Sequence, residues 1–253
     1  IMEEAITSAQ LEGAVTTRKV AKEMLEKARK PSNKDEMMIA NNYHLMKQAI
    51  ALKNAPLSME MILKLHRTAT LQAIENNAIA GELRGDDEIF IADYDGNIIY
   101  QPPKSTDLPN LMQSLCDFAN TNHNGIDAEF IHPVIKAMIL HFLVGFIHPF
   151  GDGNGRTARA LFYWFMLKNG YWLFEYISIS RLLKEAPAKY ARAYLYTETD
   201  DLDLTYFLYY QAEIIQRAIT DLEKYISDKQ NNFKAFSSAI AQFTTSVTPK
   251  LND

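Results

Sequence analysis

The sequence predicts a mainly α-helical protein with one inserted β-hairpin. Apolar residues recur every three or four positions over most of the 253 residues, as on the buried face of a helix. The pattern changes between residues 81 and 103, where apolar residues alternate on both sides of an Asp-Gly turn. Hydrophobic residues make up 47% of the chain and charged residues 23%, which is typical of a globular protein with a sizeable core.

Four helical segments precede the hairpin, and each carries a boundary signal. The first ends near Gly13, because glycine commonly stops a helix. The second ends before Pro31 and the third before Pro56. The fourth begins after Ser58, a candidate N-cap residue, and extends to about residue 77.

The hairpin is predicted from the stretch DDEIFIADYDGNIIYQPP. Ile89 and Ile91 alternate with Phe90, and a second run of apolar residues, 98–100, follows the Asp-Gly turn. Two prolines end the second run, so that no further strand is predicted beside it and its edges are open.

Further helical segments follow the hairpin. The run VIKAMILHFLVGFI contains Lys136 and His141, so it predicts a buried core helix and not a membrane span. Residues 236–253 are weakly patterned, and they are predicted to fray or to lead towards a further segment. We therefore divide the chain into an N-terminal region (1–30), a principal domain (31–228) and a tail (229–253).

The composition of the chain argues against several classes of function. The formal net charge of −5 argues against a nucleic-acid-binding surface. The single cysteine, Cys116, excludes an intramolecular disulfide and is predicted to be a small buried residue. The acidic N-terminal residues do not resemble a signal peptide, so a cytoplasmic protein is expected, with its oligomeric state left open. Four of the six histidines are interpreted as structural, namely His44, His66, His132 and His141.

The stretch HPFGDGNGRTAR, residues 148–159, is the strongest functional signal. Pro149 ends the preceding helix, and the glycines allow a ligand to approach the backbone closely. A glycine-rich turn that leads into a helix presents free N–H groups to an anion. Arg156 and Arg159 are three residues apart, so they add positive charge on one side of that helix. The stretch therefore predicts a site for a di- or triphosphate.

The other polar residues of this stretch suggest how such a ligand would react. A carboxylate among phosphate donors needs a cation between them, so Asp152 implies Mg²⁺. The amide of Asn154 could donate to a phosphate oxygen, and His148 has a pKa suited to a general base. The alternative is a surface turn that only joins two helices, but such a turn needs neither the histidine nor the two arginines.

The stretch resembles, at every position, the signature HPFx[D/E]GNGRxxR of Fic-domain proteins. The resemblance extends from about Glu4 to Lys224, and it implies a helical Fic fold that transfers AMP from ATP to a protein hydroxyl. His148 would be the base and Asp152 the Mg²⁺ ligand. Gly155 is lysine in the related Doc kinases, which favours nucleotidyl transfer over phosphorylation. The implied nucleotide-binding residues are Phe150 (as the loop's anchor), Gly153, Asn154, Gly155, Arg156, Arg159 and Tyr190, the last beside adenine or packed in the core.

Two upstream segments extend the resemblance. Residues 8–13, SAQLEG, are similar to the inhibitory motif [S/T]xxxE[G/N], with Ser8, Glu12 and Gly13 at its fixed positions. The resemblance implies that Glu12 pairs with Arg159 and takes space that the γ-phosphate needs. The hairpin, residues 81–103, corresponds to the Fic flap, which would dock the target protein through Ile89 and Ile91.

The sequence thus predicts an autoinhibited protein adenylyltransferase that uses ATP and Mg²⁺. Its partner would be a target protein with a Ser, Thr or Tyr hydroxyl, and no membrane or nucleic acid is implied. Two alternatives stay open. The same fold could use another donor (UTP, GTP or CDP-choline) or remove AMP, or the chain could be a nucleotide-binding regulator with little turnover.

Overall fold

The structure is a computed structural model that describes residues 1–74, 78–92, 98–126 and 129–247. Helices dominate these residues, as the sequence predicted. Their bounds are α1 (Met2–Leu11), α2 (Arg18–Glu26), α3 (Lys34–Ala51), α4 (Met59–Thr70), α5 (Leu108–Asn120), α6 (Pro133–Ile147), α7 (Asn154–Lys168), α8 (Ile179–Glu185), α9 (Pro187–Thr199) and α10 (Thr205–Val247).

Helices α6 and α7 form the centre of the fold and pack against each other along their lengths. Helix α7 is buried almost throughout, and Phe162, Tyr163 and Trp164 are at most 1% exposed. The α3–α4 pair packs on one side of α7, and α9 and α10 pack beside α6. The core position predicted for the 134–147 run is confirmed, because His141 in α6 is fully buried.

Local signals fixed several boundaries. The side chain of Ser58 accepts a hydrogen bond from Met61 N at 3.2 Å, which confirms the predicted N-cap of α4. Cys116 is buried in the core, as predicted. Helix α4 ends at Thr70 and not near residue 77, because the chain turns at Leu71 to lead towards the hairpin segment.

The hairpin segment forms a short antiparallel pair, β1 (Ile91–Ala92) and β2 (Ile98–Tyr100), with Ile91 opposite Tyr100. The pair is much shorter than the alternating pattern predicted, because residues 81–90 run without regular secondary structure. The Asp-Gly turn lies in 93–97, outside the described residues. Tyr100 anchors β2 on the helices, since its hydroxyl donates to Phe146 O at 2.9 Å.

The prediction that the tail frays from residue 236 is wrong as far as Val247, because helix α10 continues to that residue without a break. Between residues 229 and 241 the large apolar side chains of α10 stay exposed, with Phe233 at 71% and Phe236 at 63%, so burial does not hold this part of the helix. In the described part of the chain, no helix is both long enough and apolar enough to cross a lipid bilayer.

Candidate active site

The predicted site lies at the junction of α6 and α7. Helix α6 ends at His148, which takes a left-handed backbone conformation (φ 49°, ψ 57°). Helix α7 begins at Asn154, with Gly153 as its N-cap residue at φ 81°. The intervening residues form a tight turn that brings His148 close to the amino end of α7. This is the place where free N–H groups and the helix dipole favour an anion.

The turn is held from inside by Phe150 and Asn154. The Asn154 side chain accepts from Phe150 N at 2.9 Å and donates to Phe150 O at 2.7 Å. One of the two amide N–H groups of Asn154 is thus used within the turn, and donation of the other to a phosphate stays a prediction. Phe150 is fully buried as the anchor of the turn.

His66 of α4 supports the same turn from below. Its ring stacks on Phe150 with centroids 3.7 Å apart. Gly81 N donates to His66 Nδ1 at 3.0 Å, so Nε2 carries the proton and donates to the Asp152 carbonyl at 2.8 Å. Burial lowers the pKa of His66 to about 4, so the ring is neutral near pH 7. The sequence correctly indicated a structural histidine, but nothing in its spacing showed that it supports the motif.

Gly153 and Gly155 are needed for different reasons. Gly153 has the left-handed backbone noted above, and a Cβ there would overlap Thr70 Cγ2. Gly155 has ordinary backbone angles, but a Cβ on it would collide with the Glu12 carboxylate and would lie 2.9 Å from Arg159 Nη1. The space over Gly155 is thus filled by an acidic side chain from α1.

Arg156 in α7 and Asp152 in the preceding turn form an ion pair, with Arg156 Nη2 3.0 Å from Asp152 Oδ1. Arg156 is almost fully buried, and its Nη1 donates to the Ala69 carbonyl at 2.9 Å. Two buried atoms of this pair, Asp152 Oδ2 and Arg156 Nε, have no hydrogen-bond partner within the described chain. Such atoms are costly to leave unpaired, so the pair has capacity for a ligand.

Arg159 is held by two residues of the N-terminal segment. Its Nη2 donates to Glu12 Oε1 at 2.7 Å, and its Nε donates to Ser8 Oγ at 2.8 Å. Burial disfavours the charged guanidinium, but Glu12, Tyr190 and Glu4 together outweigh this, and the pKa of Arg159 lies above its usual value. The third nitrogen, Nη1, is buried and makes no hydrogen bond to any described residue. Gly13 follows Glu12 at φ 100° and turns the chain away.

The N-terminal segment meets α7 in register. Going up the segment in steps of four residues, Glu4 bonds Tyr163, Ser8 bonds Arg159, and Glu12 lies over Gly155. Residues four apart lie on one face of a helix, so this antiparallel arrangement matches the two helices turn by turn. The Glu4 carboxylate is fully buried and accepts from four donors: Tyr163 OH, Ser178 Oγ, Ser180 N and Ser180 Oγ.

His148 is half-buried at the edge of the turn. Its Nδ1 lies 3.2 Å from Gly145 O, and a carbonyl can only accept. The proton therefore sits on Nδ1, which leaves the lone pair of Nε2 free. Burial lowers the pKa of His148 below its usual value, so the unprotonated form is favoured near neutral pH.

The other predicted site residues are Tyr190, Ile89 and Ile91, and Tyr190 lies near Arg159. The Tyr190 hydroxyl is 2.8 Å from His141 Nε2, and its ring packs beside Tyr194. Ile89 is half-buried before β1, whereas Ile91 within β1 is 36% exposed. Two further residues, Arg84 and Glu4, hold the site together. Each is a single charged residue in an ordinary stretch, so no sequence pattern indicated its role.

Comparison with known proteins agrees with this architecture. Residues 56–166 match the Fic/DOC family. A protein from Nematostella vectensis named protein adenylyltransferase Fic is 30% identical over 119 residues, which span 47% of this chain and 25% of that protein. The protein of the same name from Drosophila melanogaster is 33% identical over 125 residues, which span 49% of this chain and 22% of that protein. The match thus spans about a quarter of the length of these relatives.

Solved structures share the fold at lower identity. A Fic-domain-containing signaling protein from Bacteroides thetaiotaomicron superposes with a TM-score of 0.72 at 24% identity, covering 87% of this chain and 84% of its own. A Fic family protein from Desulfovibrio desulfuricans superposes with a TM-score of 0.74 at 20% identity, covering 88% of this chain and 64% of its own. At these identities the likeness establishes the fold.

Proposed function

We propose that this chain, whose residues 56–166 match the Fic/DOC family, is a protein adenylyltransferase restrained by its own N-terminal segment. It transfers AMP from ATP to a hydroxyl of a target protein. The two relatives described above carry the name protein adenylyltransferase, which supports the reaction class.

One observation carries the proposal. The Glu12 carboxylate lies over Gly155 and pairs with Arg159, so the amino end of α7 already accepts an anion in this structure. A terminal phosphate carries the same sign of charge and the same kind of acceptor oxygen. Because Glu12 and the phosphate need one place, binding of the nucleotide in its reactive position requires Glu12 to leave.

The residues around Gly155 fit a magnesium-bound polyphosphate. Asp152 Oδ2 is buried without a partner in the described residues, and carboxylate oxygens are the ligands that Mg²⁺ prefers. Arg156 Nε and Arg159 Nη1 are likewise unused by the described chain and could donate to phosphate oxygens. Asp152 would hold the ion, which when bound would neutralise charge on the α- and β-phosphates. Tyr190 is assigned to the adenine side of the site.

The reaction needs one base and one leaving group. The free Nε2 of His148 takes the proton of the target hydroxyl. The hydroxyl oxygen then bonds to the α-phosphorus, and the bond from that phosphorus to the bridging oxygen of the β-phosphate breaks. Pyrophosphate leaves, and Arg156 and Arg159 stabilise the charge that develops on it.

The target is held by the hairpin segment, with Ile89 and Ile91 as its docking residues. In the described residues the sheet contains only β1 and β2, so the outer edge of β1 pairs with no strand. An extended peptide can add to such an edge through backbone hydrogen bonds, which depend little on its sequence.

The test uses the Glu12→Gly variant, in which the restraint is removed. Incubation with MgCl₂ and ATP labelled at the α-phosphate should label the protein itself or added target, and the Glu12→Gly/His148→Ala double variant should stay unlabelled. UTP, GTP and CDP-choline with equivalent labels serve as competing donors. Label from one of these donors, and not from ATP, would replace the proposed donor. Nucleotide binding without label from any donor would support a regulatory module instead.

A further inference from the structure

The Arg84 side chain joins three segments around the end of α6. It is 2% exposed, and its Nε donates to the His148 carbonyl at 2.9 Å. Its Nη1 donates to Asp86 O at 2.6 Å and contacts Asp87 Oδ1, while its Nη2 donates to the Pro103 carbonyl. A buried guanidinium is stable only when its donors are used, so these segments are fixed relative to one another.

Arg84 and Tyr100 donate hydrogen bonds to the carbonyl groups at and just after the end of α6. The last carbonyls of a helix have no partner within the helix. Phe146 O accepts from the Tyr100 hydroxyl, His148 O accepts from Arg84 Nε, and Pro149 O accepts from Arg84 N at 2.9 Å. The segment that surrounds the β1–β2 pair therefore caps the helix that carries His148.

The backbone of His148 requires such support. Its φ of 49° lies in the left-handed region, which is unfavourable for a residue with a Cβ. A conformation of this kind persists where surrounding contacts hold it. Arg84 supplies two of these contacts. Its side chain donates to the His148 carbonyl, and its backbone N–H donates to the Pro149 carbonyl.

We infer that Arg84 is the positioning residue of His148, and that it couples the hairpin segment, which holds the target, to the base. This inference rests on the proposed function of His148. Arg84 touches the backbone of His148, so its guanidinium sets the place of the imidazole without taking part in the reaction. A peptide bound at β1 and the base at His148 are thereby kept in one register.

The charge of Arg84 gives this role a signature of its own. Two charged groups act on the His148 ring: Arg84 lowers its pKa and Glu12 raises it. In a Glu12→Gly background, Arg84 is the remaining one of these two. Removal of the Arg84 charge then raises the pKa of His148, because a nearby cation disfavours the imidazolium.

The test compares Arg84→Met and Arg84→Lys in the Glu12→Gly chain. Arg29→Met is the matched control, because Arg29 also makes two bonds to a buried carboxylate, that of Glu36. For AMP transfer, Arg84→Met should lower kcat about 100-fold and change the KM for ATP by less than about threefold. NMR titration of the His148 ring protons should show its pKa raised in Arg84→Met. Arg84→Lys should keep the His148 titration of the Glu12→Gly chain while losing part of kcat, since one ammonium cannot reach the carbonyls of His148, Asp86 and Pro103 together.

Two results would overturn the inference: an unchanged kcat in Arg84→Met, or a lowered kcat with an unmoved His148 titration, which indicates a general loss of structure. Arg29→Met should alter neither quantity. If the Glu12→Gly chain transfers no nucleotide at all, the proposed function fails, and the titration alone still decides whether Arg84 acts on His148.

Discussion

Glu12 and Arg159 are 147 residues apart in the sequence, and their side chains form a 2.7 Å ion pair over Gly155. Arg159 is 1% exposed while Glu12 is 28% exposed, so the pair is buried on one side and open on the other. A partner that arrives from solvent can therefore replace the carboxylate without unfolding α7. This relationship leads to four predictions.

The first prediction concerns the anchor of the N-terminal helix. In Glu4→Gln, an amide NH₂ replaces an oxygen that accepts hydrogen bonds, and it faces donors from Tyr163, Ser178 and Ser180. An unmatched buried donor costs about 1–3 kcal/mol, so α1 should detach more often. Hydrogen exchange of the α1 amides should accelerate, and AMP transfer should rise about tenfold although Glu12 is intact.

Glu3→Gln is the matched control for this helix. Glu3 lies beside Glu4 but pairs with Arg18, whose side chain is 61% exposed. Loss of the Glu3–Arg18 ion pair should change neither hydrogen exchange of the α1 amides nor AMP transfer, because exposed ion pairs contribute little to stability. Faster exchange in Glu4→Gln without any gain in transfer would show that α1 does not restrain the site.

The second prediction uses the space over Gly155. In Gly155→Ala the new methyl group displaces the Glu12 carboxylate, so the ion pair with Arg159 is lost. In a Glu12→Gly background there is no carboxylate to displace, so Gly155→Ala should lower the free energy of unfolding by less than it does in the unaltered chain. A double-mutant cycle by urea unfolding should give a coupling of about 1 kcal/mol or more.

Additive effects in this cycle would mean that Glu12 does not occupy that space in solution. Gly85→Ala is the control, because a Cβ on Gly85 meets no atom within 4 Å. It should show no coupling to Glu12→Gly.

The third prediction concerns pH and the support beneath the motif. Burial lowers the pKa of His66 from 6.5 to about 4. The unfolded chain therefore binds more protons between these values, and the contribution of His66 to stability is lost as the pH falls from 6.5 towards 4. The slope is up to about 1.4 kcal/mol per pH unit. Glu198 acts in the opposite direction, because burial raises its pKa to about 7.

Comparison of variants separates these contributions. In His66→Gln the free energy of unfolding should fall less steeply between pH 6.5 and 4.5 than in the unaltered chain. His44 is exposed, so His44→Gln should keep the original slope. Equal slopes in all three proteins would show that His66 is not buried in the neutral form.

The sequence was most informative where the determinants are local. The apolar run of α6, the Ser58 cap and the glycine turn are all set by residues close together in the chain, so their patterns predicted them. The end of helix α10, from residue 236, was missed because large apolar side chains such as Phe236 are exposed there, and their weak pattern predicted fraying. The pairing of Glu12 with Arg159 was expected from a resemblance, since no local rule joins residues so far apart.

The rest of the site depends on tertiary contacts. The roles of Arg84 and Glu4 arise from donors and acceptors on distant segments, and neither has a characteristic spacing. The sequence did not show that the Asn154 amide also closes the turn onto Phe150. Side chains of this kind serve whichever partner the folded backbone brings near, and the sequence alone does not determine that partner.

The most direct test of the central claim is the rate of AMP transfer from ATP by the unaltered chain, Glu12→Gly, and Glu12→Gly/His148→Ala, with Glu3→Gly as the control for a lost glutamate. A charge-assisted pair of about 1.5 kcal/mol or more corresponds to a rate increase of at least about tenfold. We predict that increase in Glu12→Gly, none in Glu3→Gly, and no transfer in the double variant. Equal rates in Glu12→Gly and the unaltered chain, or transfer that persists without His148, would contradict the account.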